Sequence, residues 1–122
     1  MITVPLHAIA HARTGDKGNR LNVAVIAHDP AVWPVLVEQV TEARLAALFA
    51  HRRPSAVRRY LLPNLGALNL VLDDVLEGGV NAALNLDGHG KTLSFLVLTL
   101  PVVVPAEALA AVRARLAAQP RR

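Results

Sequence analysis

The chain has 122 residues, a formal net charge of +4 and no cysteine, which predicts a single domain and excludes disulfide-bonded, zinc-finger and thiol-redox proteins. Its positive charge comes mainly from scattered arginines, with only four aromatic residues to stack on bases, so we expect no nucleic-acid partner. No secretion signal precedes His7, and the most apolar run, residues 93–104, is too short to span a bilayer, so we expect a cytoplasmic protein with no membrane partner.

The first half of the chain predicts two strands followed by helices. Residues 4–12 and 21–28 have the apolar content of strands, and the polar residues 13–19 are expected to form a loop between them. From Pro30 to about His51 the apolar residues recur at helical spacing, and Thr41 is placed to cap a second helical segment. Pro54 then ends the helical region.

The second half predicts a further series of short elements. Residues 57–62 read as a strand, 68–76 as a helix that could also be a strand, and 80–86 as another strand. Residues 87–90 are typical of a turn, and residues 93–104 of a buried strand. After Pro105 an alanine-rich amphipathic helix is expected, with Arg113 and Arg115 near its C-terminal end.

This order of elements predicts an α+β domain in which helices pack on one face of a mixed sheet. We expect residues 1–104 to form the domain and residues 105–122 to form an appended helix and tail.

Three blocks of the sequence resemble the C-terminal domain of the acyclic terpene utilisation (AtuA-like) family. The segment Arg13-Thr14-Gly15-Asp16-Lys17-Gly18-Asn19 is similar to the family signature Arg-Ser-Gly-Asp-Lys-Gly, with Thr14 where serine is usual. Residues 60–69, and residues 78–80 followed by 86–94, are similar to further blocks in the same order. The resemblance covers residues 3–104 and implies a ferredoxin-like sandwich that occurs as a separate small protein.

The family resemblance also implies a role. It implies a small subunit or accessory domain that assists acyl-CoA-linked breakdown of branched acids, with a large chain of the same family as a partner and an acyl-CoA or carboxylate as a ligand. It implies no particular reaction, so whether the chain is an enzyme stays open, and no cofactor is expected. The alternative is a homo-oligomeric ligand-binding or structural module without catalysis, because a composition that is 53% hydrophobic favours self-association.

Two polar segments and one asparagine are the candidate site. The two glycines of residues 13–19 would allow a tight curl whose amides converge on an anion, with Arg13 and Lys17 adding charge. The candidates for acid–base catalysis are Asp16, Lys17 and His89. The candidates for anion or ligand binding are Arg13, Thr14, Gly15, Asp16, Lys17, Gly18, Asn19, Asn64, His89 and Lys91.

Each candidate also has a purely structural interpretation. Asp16 would accept the amides of its own loop, His89 and Lys91 would be turn residues, and Asn64 would cap the next helix. If the segments instead share a site, residues 13–19 and 87–94 should lie at one edge of the sheet together with Asn64. No metal is expected, because His7 and His11 would stand roughly 13 Å apart on one strand.

Overall fold

The computed structural model describes residues 1–17, 20–74 and 87–118, and for residues 16, 17 and 87–92 it describes the backbone. Short 3-10 helices at Leu6–Ala8, Pro30–Val32, Ala50–Arg52 and Pro63–Leu65 join some of the longer elements. The longer elements, in chain order, are β1 (Ile2–Pro5), β2 (Ala10–Lys17), β3 (Arg20–Ala27), α1 (Trp33–Gln39), α2 (Glu42–Leu48), β4 (Ala56–Leu62), β5 (Ala67–Asp73), α3 (Asp87–Leu98), β6 (Pro101–Val104) and α4 (Ala106–Ala118).

Two antiparallel sheets organise these elements. Four strands lie in the order β2-β3-β5-β4, and β1 pairs with β6 in a separate two-stranded sheet. In the larger sheet Lys17 lies opposite Arg20, and Leu21 lies opposite Leu72. At the other end of the same strands Ala10 lies opposite Ala27.

The inner face of the four-stranded sheet forms the core with the helices. Alternate residues of β3 and β5, such as Val23 and Leu70, are fully buried. They belong to one hydrophobic cluster with Leu36 of α1, Leu45 of α2 and Val97 of α3. Burial of each such side chain stabilises the fold by about 1.5–3 kcal/mol. The α+β, ferredoxin-like sandwich with a C-terminal helix is therefore confirmed.

The C-terminal helix is an integral part of this core. The side chains of Ala108, Leu109 and Val112 in α4 are buried, as the predicted helical spacing requires. The side chain of Arg115 forms an ion pair with Asp29, with Nε and Oδ2 separated by 2.6 Å. Arg115 thus pairs with the carboxylate of Asp29, which precedes α1, in addition to lying near the C-terminal end of its own helix.

The helical segment predicted from Pro30 to about His51 is confirmed, with a break between α1 and α2. Thr41 caps α2, because its hydroxyl accepts the N–H of Arg44 at 3.2 Å. None of the helices among the described residues combines the length and apolar character needed to cross a membrane.

Two predicted elements are wrong. The helix predicted at residues 68–76 is strand β5 up to Asp73, since alternate residues pack into the core and the strand pairs with β3 and β4. The turn at 87–90 and the first part of the strand at 93–104 are helix α3, in which Leu93 and Val97 are buried one helical turn apart. The strand predicted at 80–86 lies outside the described residues.

Candidate functional site

Most of the signature segment belongs to strand β2. Arg13 lies opposite Ala24 and Gly15 lies opposite Asn22 in the β2–β3 hairpin. Gly15 does not have a positive φ, and a Cβ at this position would meet nothing within 4 Å. The tight curl predicted for residues 13–19 is therefore wrong for residues 13–17, since these residues pair with β3 as far as Lys17.

The outer face of the four-stranded sheet carries the signature strand. The register aligns Arg13, Ala24, Asn69 and Tyr60 in one row across the four strands. The adjacent row contains Gly15, Asn22, Val71 and Arg58. All eight residues are exposed or half-buried. We call these two rows the outer face.

The outer face has a positive charge at each side and small or polar residues between. Arg13 lies on the edge strand β2 and Arg58 on the edge strand β4, and both are exposed. Near the hairpin end, outside the two rows, Arg20 forms an ion pair with Asp73, with Nε and Oδ1 2.6 Å apart. The described charges of the two rows are thus those of the two arginines, which favours an anionic partner.

An unsatisfied oxygen lies in the middle of the outer face. The side-chain Oδ1 of Asn69 is buried and has no hydrogen-bond partner among the described residues. A buried acceptor without a donor costs about 1–3 kcal/mol.

The remaining signature residues lie around the end of β2. Thr14 is half-buried and belongs to the face opposite Arg13, next to Val23 of β3. The backbones of Asp16 and Lys17 end β2, and their side chains lie outside the described residues. Gly18 and Asn19 lie wholly outside them.

Helix α3, which includes His89 and Lys91, packs against β2. Its C-terminal end lies beside the start of β2, because the N–H of Leu6 donates to the carbonyl of Leu100 at 2.8 Å. The segment that carries His89 and Lys91 thus belongs to a helix that packs against the strand of the signature residues. The side chains of His89 and Lys91 lie outside the described residues.

Asn64 lies away from the signature segment and the start of helix α3. It lies in the 3-10 helix Pro63–Leu65, just before β5, whose Ala67 lies opposite Ile26 near the end of β3. The hairpin at Lys17 is at the other end of the sheet. The expectation of a common edge is thus wrong for Asn64, which also precedes a strand rather than a helix that it could cap.

A pocket of about 300 Å³ lies at this second end of the sheet. It is formed where the end of β3, the segment before β5 and helix α4 meet. Its lining residues are Ala27, His28, Asp29, Pro30, Trp33, Pro63, Asn64, Leu65, Gly66 and Arg115. We call it the end pocket.

Hydrogen bonds fix the acidic group of the end pocket. Asp29 accepts the N–H of Ala31 through Oδ1 at 2.8 Å and Nε of Arg115 through Oδ2 at 2.6 Å. These two hydrogen bonds lower the pKa of the Asp29 carboxyl, and the bond from Ala31 has the larger effect. Asp29 is therefore ionised at neutral pH and both of its oxygens are engaged.

The imidazole of His28 is the second titratable group of the end pocket. Burial lowers its pKa, and the neighbouring charge of His11 lowers the pKa further, whereas a hydrogen bond with the backbone of His7 opposes the shift. The rings of His11 and His28 stack with centroids 5.4 Å apart. His28 is consequently neutral at pH 7.

Sequence reasoning included only Asn64 among the residues of the end pocket. Asp29 and Arg115 are 86 positions apart, and no motif links them. His28 directly follows β3, and no motif in the sequence marks it. Among the described residues, no group of three or more His, Asp or Glu side chains is arranged to hold a metal ion.

Comparison with known proteins places the fold in a family. The AtuA ferredoxin-like domain matches residues 4–103. No curated protein and no solved structure gives a significant match. The matched region begins in β1 and ends in β6, so Arg115 and the rest of α4 lie beyond it.

Proposed function

We propose that this chain, which belongs to the AtuA ferredoxin-like domain family, serves as a small subunit or accessory domain of a large chain of that family. In this role it assists acyl-CoA-linked breakdown of branched acids. The observation that carries the proposal is the position of the signature strand on an outer face whose two arginines are exposed to a partner.

The chemistry of the outer face defines the surface that it fits. Arg13 and Arg58 flank a centre of mostly small or polar side chains, and Tyr60 is 51% exposed. Interfaces of this kind are enriched in Arg and Tyr. A complementary surface on the large chain would carry acidic groups opposite the two arginines.

Gly15 supports contact at the same place. Neither positive φ nor crowding requires a glycine there, and glycine weakens a strand. A partner backbone that approaches the outer face closely would explain its use. The substitution Gly15→Ala would then leave the fold intact while it weakens the complex.

The proposal is tested by purification of the chain with a large family member that lacks its own copy of this domain. The reversals Arg13→Glu and Arg58→Glu should each weaken the complex about tenfold, because like charges oppose each other across an interface. The matched control Arg113→Glu alters an exposed arginine of α4 and should have no effect. Failure to form a complex, or an equal loss with Arg113→Glu, contradicts the proposal.

The same complex tests the catalytic candidates at the end of β2. If Asp16 and Lys17 serve the reaction, Asp16→Asn and Lys17→Met should lower its acyl-CoA turnover without preventing assembly. Their free energy of unfolding should change by less than about 0.5 kcal/mol. A loss of about 1–3 kcal/mol in Asp16→Asn with unchanged turnover would instead identify Asp16 as a structural hydrogen-bond acceptor.

A homo-oligomeric ligand-binding or structural module is the second candidate. Exposed apolar side chains at the end of β4 and just after it favour it, namely Tyr60, Leu61, Leu62 and Leu65. Extension of the sheet at β4 is opposed locally, because Glu42 already accepts the N–H of Arg59 at 3.0 Å. Self-association would therefore use these side chains.

A further inference from the structure

We propose that the end pocket binds a small monocarboxylate with an apolar tail, and that Arg115 binds the carboxylate. The inference concerns the opposite end of the sheet from Lys17 and does not depend on docking to a large chain. It rests on the hydrogen bonds of Arg115, the apolar walls of the pocket and the position of α4.

The first step is the orientation of Arg115. Its Nε donates to Oδ2 of Asp29 at 2.6 Å, and its terminal nitrogens have no hydrogen bond among the described residues. The guanidinium is thus held by one edge while its other donors remain for a ligand. A planar guanidinium matches the two oxygens of a carboxylate, and a guanidinium that is already oriented loses less entropy on binding.

The second step is the charge of the surrounding groups. Asp29 already accepts a hydrogen bond through each of its oxygens. Neither oxygen therefore needs a further bond from the terminal nitrogens of Arg115. His28 is neutral at pH 7 because burial and His11 lower its pKa. The donors of Arg115 therefore favour an acceptor, and a ligand with one negative charge satisfies them.

The third step is the remainder of the wall. Trp33, Pro30, Pro63 and Leu65 supply apolar surface, and Leu65 is 71% exposed. A volume of about 300 Å³ is at the lower limit for small-molecule sites. These properties suit a short hydrocarbon chain and not a whole coenzyme.

The fourth step is the origin of the cation. The family match ends at residue 103, whereas Arg115 belongs to α4. The pocket thus combines walls from the family domain with a charged group from a helix beyond it. Carboxylate binding is, on this basis, a property that α4 adds to the domain.

The test is a titration of the isotope-labelled chain with hexanoate and with the uncharged hexanamide, monitored by backbone amide chemical shifts. Hexanoate should shift the amides of residues 27–29 and 64–66 and bind at least about tenfold more tightly than hexanamide, since charged hydrogen bonds are the stronger ones. Equal affinity of the two compounds, or shifts centred on the outer face, would overturn the proposal.

Substitutions identify the group that binds the carboxylate. Arg115→Gln should reduce hexanoate affinity about tenfold, whereas Arg113→Gln, which alters an exposed arginine two positions earlier in the same helix, should not. Equal losses would mean a general charge effect and overturn the assignment.

Leu65→Ser provides a second measurement that does not disturb the packing of α4. It should weaken hexanoate and hexanamide alike by several-fold, because it removes apolar surface from the wall. Unchanged affinities would show that the tail does not lie in the end pocket. Arg13→Glu and Arg58→Glu should leave hexanoate binding intact, which separates this result from the docking experiment.

Discussion

The structure places the charged side chains of this protein differently from what its sequence motifs predict. Arg13 was predicted to bind an anion as part of a curled loop, and it is exposed on a strand instead. The positive charge of Arg13 is compatible with an anionic partner, but Arg13 lies on the face of a sheet and not in a loop that could enclose an anion. Asp29 and Arg115 could not be found from the sequence, because only folding brings two residues 86 positions apart together.

His28 gives a prediction at the residue scale. Burial and then His11 lower its pKa below the ordinary value of 6.5, so the unfolded chain takes up a proton at a higher pH than the folded chain does. The contribution of His28 to stability is therefore fully present above about pH 6.5 and is lost as the pH falls through the lowered pKa.

The measurement is urea unfolding at about pH 7.5, 6.5 and 5.5, across the range in which histidine titrates. His28→Gln should flatten the decline in the free energy of unfolding that the parent chain shows below about pH 6.5. The control His51→Gln replaces an exposed histidine and should leave the decline in place. An unaltered slope in His28→Gln would contradict the prediction.

At the scale of elements, the sequence predicted those whose periodicity is unambiguous. Strand β4 and helix α4 were found from the spacing of their apolar residues. Residues 67–73 satisfy a helical stripe and a strand alternation at once, and pairing with two neighbouring strands decides for β5. Such pairing between distant segments is not visible to a local pattern.

The prediction for the residues of helix α3 was wrong for a related reason. A continuous apolar run is equally compatible with a buried strand and a buried helix, and residues 93–104 contain both, with α3 ending at Leu98 and β6 beginning at Pro101. Glycines at 88 and 90 favoured a turn where the helix begins. Packing against β2 outweighs their poor helix propensity.

Helix α4 gives a prediction at the element scale. Leu109 is 1% exposed in the hydrophobic core, so Leu109→Ala should lower the free energy of unfolding by about 2–5 kcal/mol. Leu116 of the same helix is 40% exposed, and Leu116→Ala should cost less than about 0.5 kcal/mol. Chemical denaturation measures both. Similar small losses would show that α4 is only appended to the domain.

On the scale of the whole molecule, the two proposed surfaces differ in what they would bind. Two copies that met through the outer face in the same orientation would bring the arginines of both chains into one interface, and the described residues of the two rows offer no carboxylate to offset them. The outer face therefore suits an acidic partner better than a second copy. The apolar side chains around Leu65 suit a second copy better.

Self-association is the prediction that follows from this difference. Tyr60, Leu61, Leu62 and Leu65 are each more than 40% exposed, and a group of exposed apolar side chains on a small domain favours association. Light scattering at about 50 µM, where interfaces with micromolar dissociation constants are occupied, should give a dimer or a larger assembly. Leu62→Ser combined with Leu65→Ser should shift it to the monomer, because both substitutions remove apolar surface from the same patch.

Two controls make the result specific. Phe95→Ser removes an exposed apolar side chain from α3, where Phe95 is 66% exposed, and should leave the assembly intact. Arg13→Glu should also leave it intact if the outer face is not the self-association surface. A strict monomer in the parent chain contradicts self-association. Dissociation by Arg13→Glu but not by the leucine substitutions would instead place the second copy on the outer face, in competition with the large chain.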